Sequence, residues 1–252
     1  MAGYIGSKAV NLSTTAANVG GDADIGGDLT VDTSTLHVDS ANNRVGIGTN
    51  SPTGTLDVAK SGSHEVLIRT TSTGDPTITL QADGQNNGKI SYSRSGEALI
   101  FNNSAAERMR IDSAGRVTKP YQPSFRAYRA TAGNVTYGLG NIVSASMTST
   151  NYNVGGHYNT SNGRFTAPIA GRYLFWCALY NNSSLSGRRI RADINGGAGV
   201  WGQNQSSSGS DWTASGIADL STGDYVSMVS AYSDTVVFHD ANHSVWGGYL
   251  IG

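Results

Sequence analysis

The stretch from Gly163 to Phe175 constrains the fold more than any other part of this 252-residue chain. It reads Gly-Arg-Phe-Thr-Ala-Pro-Ile-Ala-Gly-Arg-Tyr-Leu-Phe. Gly163 and Gly171 are residues that favour turns, and Pro168 lacks the N–H group that a central strand needs at that position. Large aromatic residues stand on both sides of this point. The pattern therefore predicts two β-strands joined at a sharp corner.

Several other segments of the C-terminal half resemble segments of one known family, and they follow one another in the same order as in that family. The spacing G-x-F-x-x-P-x-x-G-x-Y-x-F resembles the signature of complement C1q-like domains. Further similar segments are residues 125–127, 152–153, 215–226 and 246–251. The resemblance covers residues 121–252, and it implies a jelly-roll β-sandwich, related to tumour necrosis factor, that works as a homotrimer.

The composition favours an all-β protein and excludes some partners. Net charge is -1, with 17 basic and 18 acidic residues, so no overall field attracts nucleic acid or an anionic membrane. Only 14% of residues are charged and 33 are glycine, a composition that suits strands and turns. No run of 18 apolar residues predicts membrane insertion, and the N-terminus lacks the pattern of a secretion signal. We expect synthesis in the cytoplasm, without a secretion signal.

The single cysteine, Cys177, stands in an apolar run at residues 173–179. It cannot form an intramolecular disulfide, so we expect a small buried hydrophobic side chain. The dipeptide Asn195-Gly196 follows an alternating segment that begins at Ile190, and it predicts a hairpin turn.

The N-terminal half reads as short strands separated by turns. Residues 1–27 are small and polar and predict an arm that docks on other proteins. Alternating apolar pairs in residues 28–60 and 61–120 predict strands of only a few residues each. These pairs are Leu29/Val31, Leu36/Val38, Val45/Ile47, Leu56/Val58, Val66/Ile68, Ile78/Leu80, Ile90/Tyr92, Leu99/Phe101 and Met109/Ile111.

One short pattern occurs twice. Residues 38–45 (VDSANNRV) resemble residues 111–117 (IDSAGRV), which predicts one hairpin unit used two times. Hairpins of this length are marginal alone, because ordering the backbone costs roughly 1–2 kcal/mol per residue. Three copies of the chain around a common axis would cover their apolar sides. We therefore expect an elongated trimeric β-stalk in residues 28–120.

Two segments of this region point to a biological setting. Residues 43–52 and 107–117 are similar to segments common in bacteriophage tail fibres and related virion appendages. The resemblance implies a virion protein whose N-terminal arm contacts other virion proteins.

A further trimer signal lies in the strand expected at residues 173–180. Apolar residues occupy both of its faces, whereas an antiparallel sandwich strand normally leaves one face to water. We expect the outward row, Leu174, Trp176 and Tyr180, to lie between subunits. Burial under a loop of the same chain is the alternative.

Nothing in the sequence predicts catalysis. A glycosidase needs two carboxyl groups roughly 5–10 Å apart across a cleft. The candidates are Asp211, Asp219, Asp224, Asp234 and Asp240, but each stands in a short Gly, Ser or Thr context that predicts a turn. No G-x-S-x-G pattern supports a serine nucleophile. His239, Asp240 and His243 could suggest metal ligation, and the C1q-like resemblance implies that calcium is possible. Because their spacing matches no zinc or calcium loop, we assign no metal site and no cofactor.

Recognition has clearer candidates. Aromatic faces beside amides and carboxylates suit sugar rings, which have apolar faces and hydroxyl edges. The receptor-binding candidates are Trp201, Trp212, Tyr232, Asp234, His239, Asp240 and His243. Alternatively, Trp201 or Trp212 fills the core or the seam between subunits, and Trp176 and Trp246 are expected to be structural.

The sequence thus predicts an all-β virion fibre with a C1q-like jelly-roll head. The first hypothesis is a phage tail fibre whose head binds a host-surface glycan or protein. The second is a purely structural head, neck or collar fibre in which the head directs trimerisation. A polysaccharide depolymerase is the third.

Overall fold

The computed structural model describes residues 26–32, 35–62, 65–71, 73–81, 87–104, 106–131, 135–180, 190–197, 199, 212–231, 236–238 and 243–252. In these residues the regular structure is β-strand except for one 3₁₀ helix, Val143–Ser146, so the predicted all-β fold is confirmed. The described part of the chain contains no helix long and apolar enough to cross a membrane. The chain divides into two compact units, Met1–Ile68 and Arg69–Gly252.

The first unit contains a four-stranded sheet, called here the first sheet. Its strands are β1 (Leu29–Val31), β2 (Leu36–Asp39), β3 (Arg44–Ile47) and β4 (Leu56–Val58), in that order. The first three are antiparallel, and β3 pairs with β4 in parallel. The register places eight apolar residues on one face: Leu29, Val31, Leu36, Val38, Val45, Ile47, Leu56 and Val58. None of the eight is buried, and Leu56 is 64% exposed.

The second unit begins with a five-stranded antiparallel meander, the second sheet. Its strands are β5 (Thr77–Leu80), β6 (Gly88–Ser93), β7 (Ala98–Asn103), β8 (Ala106–Ile111) and β9 (Val117–Thr118). Nine apolar residues share one face: Ile78, Leu80, Ile90, Tyr92, Leu99, Phe101, Met109, Ile111 and Val117. The opposite face is mainly polar and includes Lys89, Ser91 and Arg110. Again none of the nine is buried, and Leu80 is 63% exposed.

The hairpin predicted to occur twice is confirmed at β2–β3 and β8–β9. The Asp39 carboxylate accepts a hydrogen bond from the Asn42 backbone N–H at 3.1 Å. The Asp112 carboxylate accepts one from the Arg116 backbone N–H at 2.9 Å. In both copies the residue before the arginine adopts positive φ, 55° at Asn43 and 78° at Gly115. The recurring Asp-Ser pattern is therefore a turn that the aspartate side chain closes.

One predicted strand is wrong. Val66 and Ile68 were expected to form a short strand, but residues 65–70 have no regular structure. Both side chains are exposed, and no described strand runs beside them to accept the hydrogen bonds that a strand requires. The alternation of Val66 and Ile68 does not show whether a partner strand lies beside them.

Residues 121–252, the head, form a two-layered β-sandwich. Its strands are β10 (Ser124–Tyr128), β11 (Val135–Tyr137), β12 (Ser149–Val154), β13 (Tyr158–Asn159), β14 (Arg164–Thr166), β15 (Gly171–Leu179), β16 (Ile190–Ile194), β17 (Trp212–Leu220), β18 (Tyr225–Ser230), β19 (Val236–Phe238) and β20 (Val245–Leu250). One sheet has the order β12-β10-β20-β15-β17, the other the order β13-β14-β18-β16, and β11 pairs with β19.

Aromatic rings fill the space between the two sheets of the head. Phe125 stacks on Tyr158 with ring centroids 4.7 Å apart and on Phe165 at 5.1 Å. Phe175 stacks on Trp246 at 5.5 Å. All five side chains are buried. The structural role predicted for Trp246 is confirmed, because this residue lies at the centre of the core.

The corner predicted between Gly163 and Phe175 is present, and it carries the chain from one sheet to the other. β14 ends at Thr166 in the four-stranded sheet, and β15 begins at Gly171 in the five-stranded sheet. Pro168 lies in the connection, where no ladder hydrogen bond is required. Gly163 has φ of 69°, and a Cβ there would lie 2.2 Å from the Ala145 backbone nitrogen. Only glycine allows this close approach to the 3₁₀ helix.

The predicted turn at Asn195-Gly196 is present at the end of β16. Both residues have positive φ, and the Gly197 N–H donates to the Ile194 carbonyl at 2.8 Å. After the turn the chain lies close to β16 again, because a Cβ added at Gly199 would be 2.1 Å from the Ala192 carbonyl oxygen. The rest of the predicted hairpin, residues 198 and 200–211, lies outside the described residues.

Cys177 is buried as predicted, and burial raises the pKa of its thiol to about 12. The reactive thiolate is therefore scarce in the native state at neutral pH. We expect a thiol reagent such as 5,5′-dithiobis(2-nitrobenzoic acid) to leave native protein unmodified and to label one thiol per chain in guanidinium chloride. Rapid labelling of the folded protein at pH 7 would contradict this burial.

Candidate functional site

The outer side of the five-stranded sheet, called here the outward face, carries the residues predicted to lie between subunits. Along β15 the residues that point inward are buried, while Leu174 and Trp176 on the outward face are half-buried. The predicted alternation of this strand is therefore confirmed. Tyr180, just beyond the strand, is 36% exposed.

Neighbouring strands extend the outward face. The register places Tyr249 of β20 on one side of Leu174 and Ile217 of β17 on the other. Ile217 is 57% exposed and Tyr249 is 44% exposed. On the edge strand β12, Tyr152 is also exposed and pairs with Arg126. The outward face is thus a broad, mainly apolar and aromatic surface that a single chain leaves partly open to water.

Trp176 is held in place by a glycine on the adjacent strand. Its ring lies against Gly247, where an added Cβ would come within 2.7 Å of the indole atoms. Because the glycine has no side chain, the large indole lies close to the sheet. The indole and Gly247 together form the middle of the outward face.

One end of the head gathers several candidate residues and is called here the remote end. The chain enters the head at Ser124, and β10 runs away from that point to Tyr128. Antiparallel pairing places Val245 beside Tyr128, and Trp212 beside Leu179, at the same end. The remote end is therefore the end of the head opposite the point where the chain enters.

Tyr180 and His243 meet at the remote end. Their ring centroids are 5.7 Å apart at an interplanar angle of 46°. The Tyr180 backbone N–H donates to the Ser244 hydroxyl at 3.1 Å. A residue predicted to bind a receptor thus contacts a residue predicted to lie between subunits.

The other receptor-binding candidates cannot be placed in this way. Five of them lie outside the described residues: Trp201, Tyr232, Asp234, His239 and Asp240. Trp212 begins β17, so its backbone lies at the remote end, but its side chain is outside the described part. Of the described residues that flank these segments, Ala231 follows β18, Phe238 is the last residue of β19, and His243 precedes β20.

Sequence reasoning missed a cavity of about 430 Å³ that begins where β10 ends. Its described lining is Arg129, Thr131, Val135, Tyr137, Ala145, Ser146 and Thr148. Arg129 is only 4% exposed, and its Nε donates to the Thr131 carbonyl at 2.8 Å. Burial raises the pKa of Tyr137, while a hydrogen bond to Ser146 and the charge of Arg129 oppose that shift. No motif connects these residues, which come from three separate elements.

Two aspartates considered as catalytic have structural partners. Asp219 forms an ion pair with Arg172 at 3.0 Å, and both side chains are exposed. Asp224 accepts hydrogen bonds from the Asn195 side-chain amide at 2.8 Å and from the Ser221 N–H at 2.8 Å. These bonds hold the pKa of Asp224 below its usual value. In the part of the chain that is described, no three His, Cys, Asp or Glu residues cluster as metal ligands.

Comparison with known proteins identifies the fold of the head. Residues 130–251 match the family model of the C1q domain, which confirms the predicted C1q-like domain there. Similar solved structures include the globular domain of zebrafish complement 1qA protein (17% identity, TM-score 0.39, 52% of this chain and 98% of that chain). Others are Eiger TNF from S. frugiperda (13%, 0.40, 52% and 93%) and murine APRIL at pH 8.0 (9%, 0.38, 51% and 99%). No curated protein matches the sequence.

Proposed function

We propose that this protein is a homotrimeric virion fibre, a bacteriophage tail fibre, whose C1q-like head binds a host-surface glycan or protein during adsorption. The observation that carries the fibre proposal is the pair of single-layered sheets before the head. Each has one mainly apolar face, and none of the apolar residues that form these faces is buried. In the proposed fibre these sheets form the stalk, and the N-terminal arm docks on other virion proteins.

The amount of apolar surface argues for partner chains. Several side chains of these faces are about half exposed or more, such as Val31 at 45%, Leu56 at 64% and Leu80 at 63%. Burying apolar area stabilises by about 25 cal/mol per Å², so covering these faces with partner chains would be favourable. Other copies of the same chain are always present with it, so they are the simplest partners to cover these apolar faces.

The proposed number of three copies is argued from the head. Two copies could also cover two faces by forming a sandwich, so the sheets alone do not favour three. The resemblance of the head to C1q-like domains implies a homotrimer, and the outward face around Trp176 supplies a surface for it. Three chains on one axis would bury the outward faces and both sheet faces together.

We place receptor recognition at the remote end of the head. In a fibre, the end of the head opposite its point of entry is presented to the host. His243, the aromatic pair that it forms with Tyr180, and the start of β17 at Trp212 lie there. Loops at the end of a rigid sandwich are suited to binding because they vary without disturbing the core.

The second function, a structural fibre whose head serves to trimerise the chain, is favoured by the outward face. Particles that carry a chain truncated after residue 120 would separate the two. We expect such particles to assemble but to lose adsorption, and purified full-length protein to compete with intact particles for host cells. Normal adsorption by the truncated particles would overturn the receptor-binding role. Failure of the particles to assemble, with no competition by the free protein, would support the structural role instead.

A further inference from the structure

We propose that Arg108 holds the connection between the second sheet and the head in one conformation, because its guanidinium lies over the Tyr121 ring. The connection, residues 119–123, is called here the joint. A held joint keeps the head in one orientation on the second sheet, with which it shares one compact unit. Arg108 is therefore a positioning residue. This role goes beyond the proposed function, since it does not depend on what the head binds.

The sequence of the joint restricts its backbone. It reads Lys-Pro-Tyr-Gln-Pro, and each proline fixes its own φ at about −65°. The Gln122 backbone N–H donates to the Lys119 carbonyl at 3.1 Å, which closes a turn with Pro120 at its second position, where proline is favoured. Flexible linkers are instead rich in glycine and serine. The residues of the joint thus favour a single conformation.

Two hydrogen bonds connect the joint to the head. Both involve Leu250, the last residue of β20 in the five-stranded sheet. The Gln122 side-chain amide donates to the Leu250 carbonyl at 2.5 Å, and the Leu250 N–H donates to the Pro123 carbonyl at 3.0 Å. Pro123 is also buried. The end of the joint next to the head is therefore fixed to the sandwich.

A β-bulge in the second sheet provides the contact at the other side of the joint. Consecutive residues of β7 pair with Met109 and Glu107 on β8, so Arg108 between them has no residue opposite. A bulge redirects the side chain of its extra residue. The Arg108 guanidinium carbon lies 4.6 Å from the centre of the Tyr121 ring, which is the geometry of a cation–π contact.

The bulge also leaves the charge of Arg108 available for this contact. In a regular strand Glu107 and Arg110 would point to opposite faces, because they are three residues apart. The extra residue brings them to one face, where they form an ion pair at 2.7 Å. The carboxylate next to Arg108 in sequence is thus occupied by another arginine. Among the described residues, Arg108 forms no ion pair.

Limited proteolysis of the full-length protein with chymotrypsin tests whether the joint is held. Chymotrypsin accepts aromatic side chains, and Tyr121 is 59% exposed, so a mobile joint would be cut after this residue. We expect the wild type to resist cleavage there. Arg108→Gln should raise the rate of cleavage after Tyr121 about two- to fivefold, the change that corresponds to one exposed cation–π contact. Mass spectrometry of the fragments identifies the cleaved bond.

Three further variants separate the contact from general loosening. Arg110→Gln, two residues along the same strand, is the matched control and should be cleaved like the wild type. Tyr121→Phe keeps both the ring and the chymotrypsin site, so it should also resist. Gln122→Ala removes the side-chain bond to Leu250 and should raise the rate, which gives a second measurement if Arg108→Gln does not fold. Circular dichroism before digestion shows whether each variant is folded.

Three results would overturn the inference. The first is rapid cleavage of the wild type after Tyr121, which would show a mobile joint. The second is an unchanged rate in folded Arg108→Gln, or in folded Gln122→Ala where Arg108→Gln does not fold. The third is an equal increase in Arg108→Gln and Arg110→Gln, because the whole sheet would then have loosened.

Discussion

Gly163→Ala is expected to lower the free energy of unfolding of the head by about 4 kcal/mol, which is at the upper end for a single substitution. The added Cβ would lie 2.2 Å from the Ala145 nitrogen and 2.3 Å from the Ser144 carbonyl carbon, both backbone atoms that cannot rotate away. The positive φ of 69° adds strain for any L-residue. Moving the 3₁₀ helix would also disturb the hydrogen bond from the Ser144 hydroxyl to the Gly163 carbonyl at 2.5 Å.

Thermal unfolding followed by circular dichroism measures this effect. Gly156→Ala is the matched control, because Gly156 has φ of 72° but nothing within 4 Å of an added Cβ. The control therefore carries the strain without the clash and should cost about 1 kcal/mol. Equal shifts in the two variants would show that the close approach at Gly163 is not what requires glycine there.

Ile90→Cys is expected to give a covalent trimer on treatment with a trifunctional maleimide, whereas Ser91→Cys gives only background cross-linking. The two residues are neighbours on β6 but point to opposite faces of the second sheet. If three copies bury the apolar face, their Ile90 positions approach a common axis and their Ser91 positions face away. The buried native thiol, Cys177, leaves the background clean.

Gel electrophoresis under denaturing conditions reads out the cross-linking. A covalent dimer without any trimer from Ile90→Cys would indicate a two-chain sandwich. Similar yields from Ile90→Cys and Ser91→Cys would mean that the apolar face does not lie between chains.

The sequence predicted those features that depend on residues close together in the chain. The corner between Gly163 and Gly171 follows from glycine and proline chemistry, and the alternation along β15 follows from the two-residue period of a strand. The repeated hairpin was visible because Asp39 and Asp112 stand at equivalent positions. Each of these features can be predicted from one short stretch of the sequence.

Features that depend on distant segments were missed or misjudged. Asn195-Gly196 forms the expected turn, whereas the pairing of β16 with β18 joins segments far apart in the chain and was not predicted. Val66 and Ile68 alternate without a neighbouring strand. The cavity beside Arg129 joins the end of β10, strand β11 and the residues around the 3₁₀ helix, and no spacing along the chain shows that these elements meet.

The repeated apolar faces illustrate a middle case. Short alternating pairs predicted each strand of the first sheet, but only the register shows that all eight apolar residues share one side. Residues of the opposite parity, such as His37 and Asp57, share the polar side with Gly46. The sequence thus predicted the apolar pairs of each strand, whereas the extent of the apolar surface that they form together became visible only in the sheet.

The mass of the purified full-length protein in dilute solution, measured by light scattering coupled to size-exclusion chromatography, tests the central claim most directly. The proposed assembly predicts a particle with three times the mass of the 26.3 kDa chain. A folded species with the mass of one chain, or of two, would contradict it.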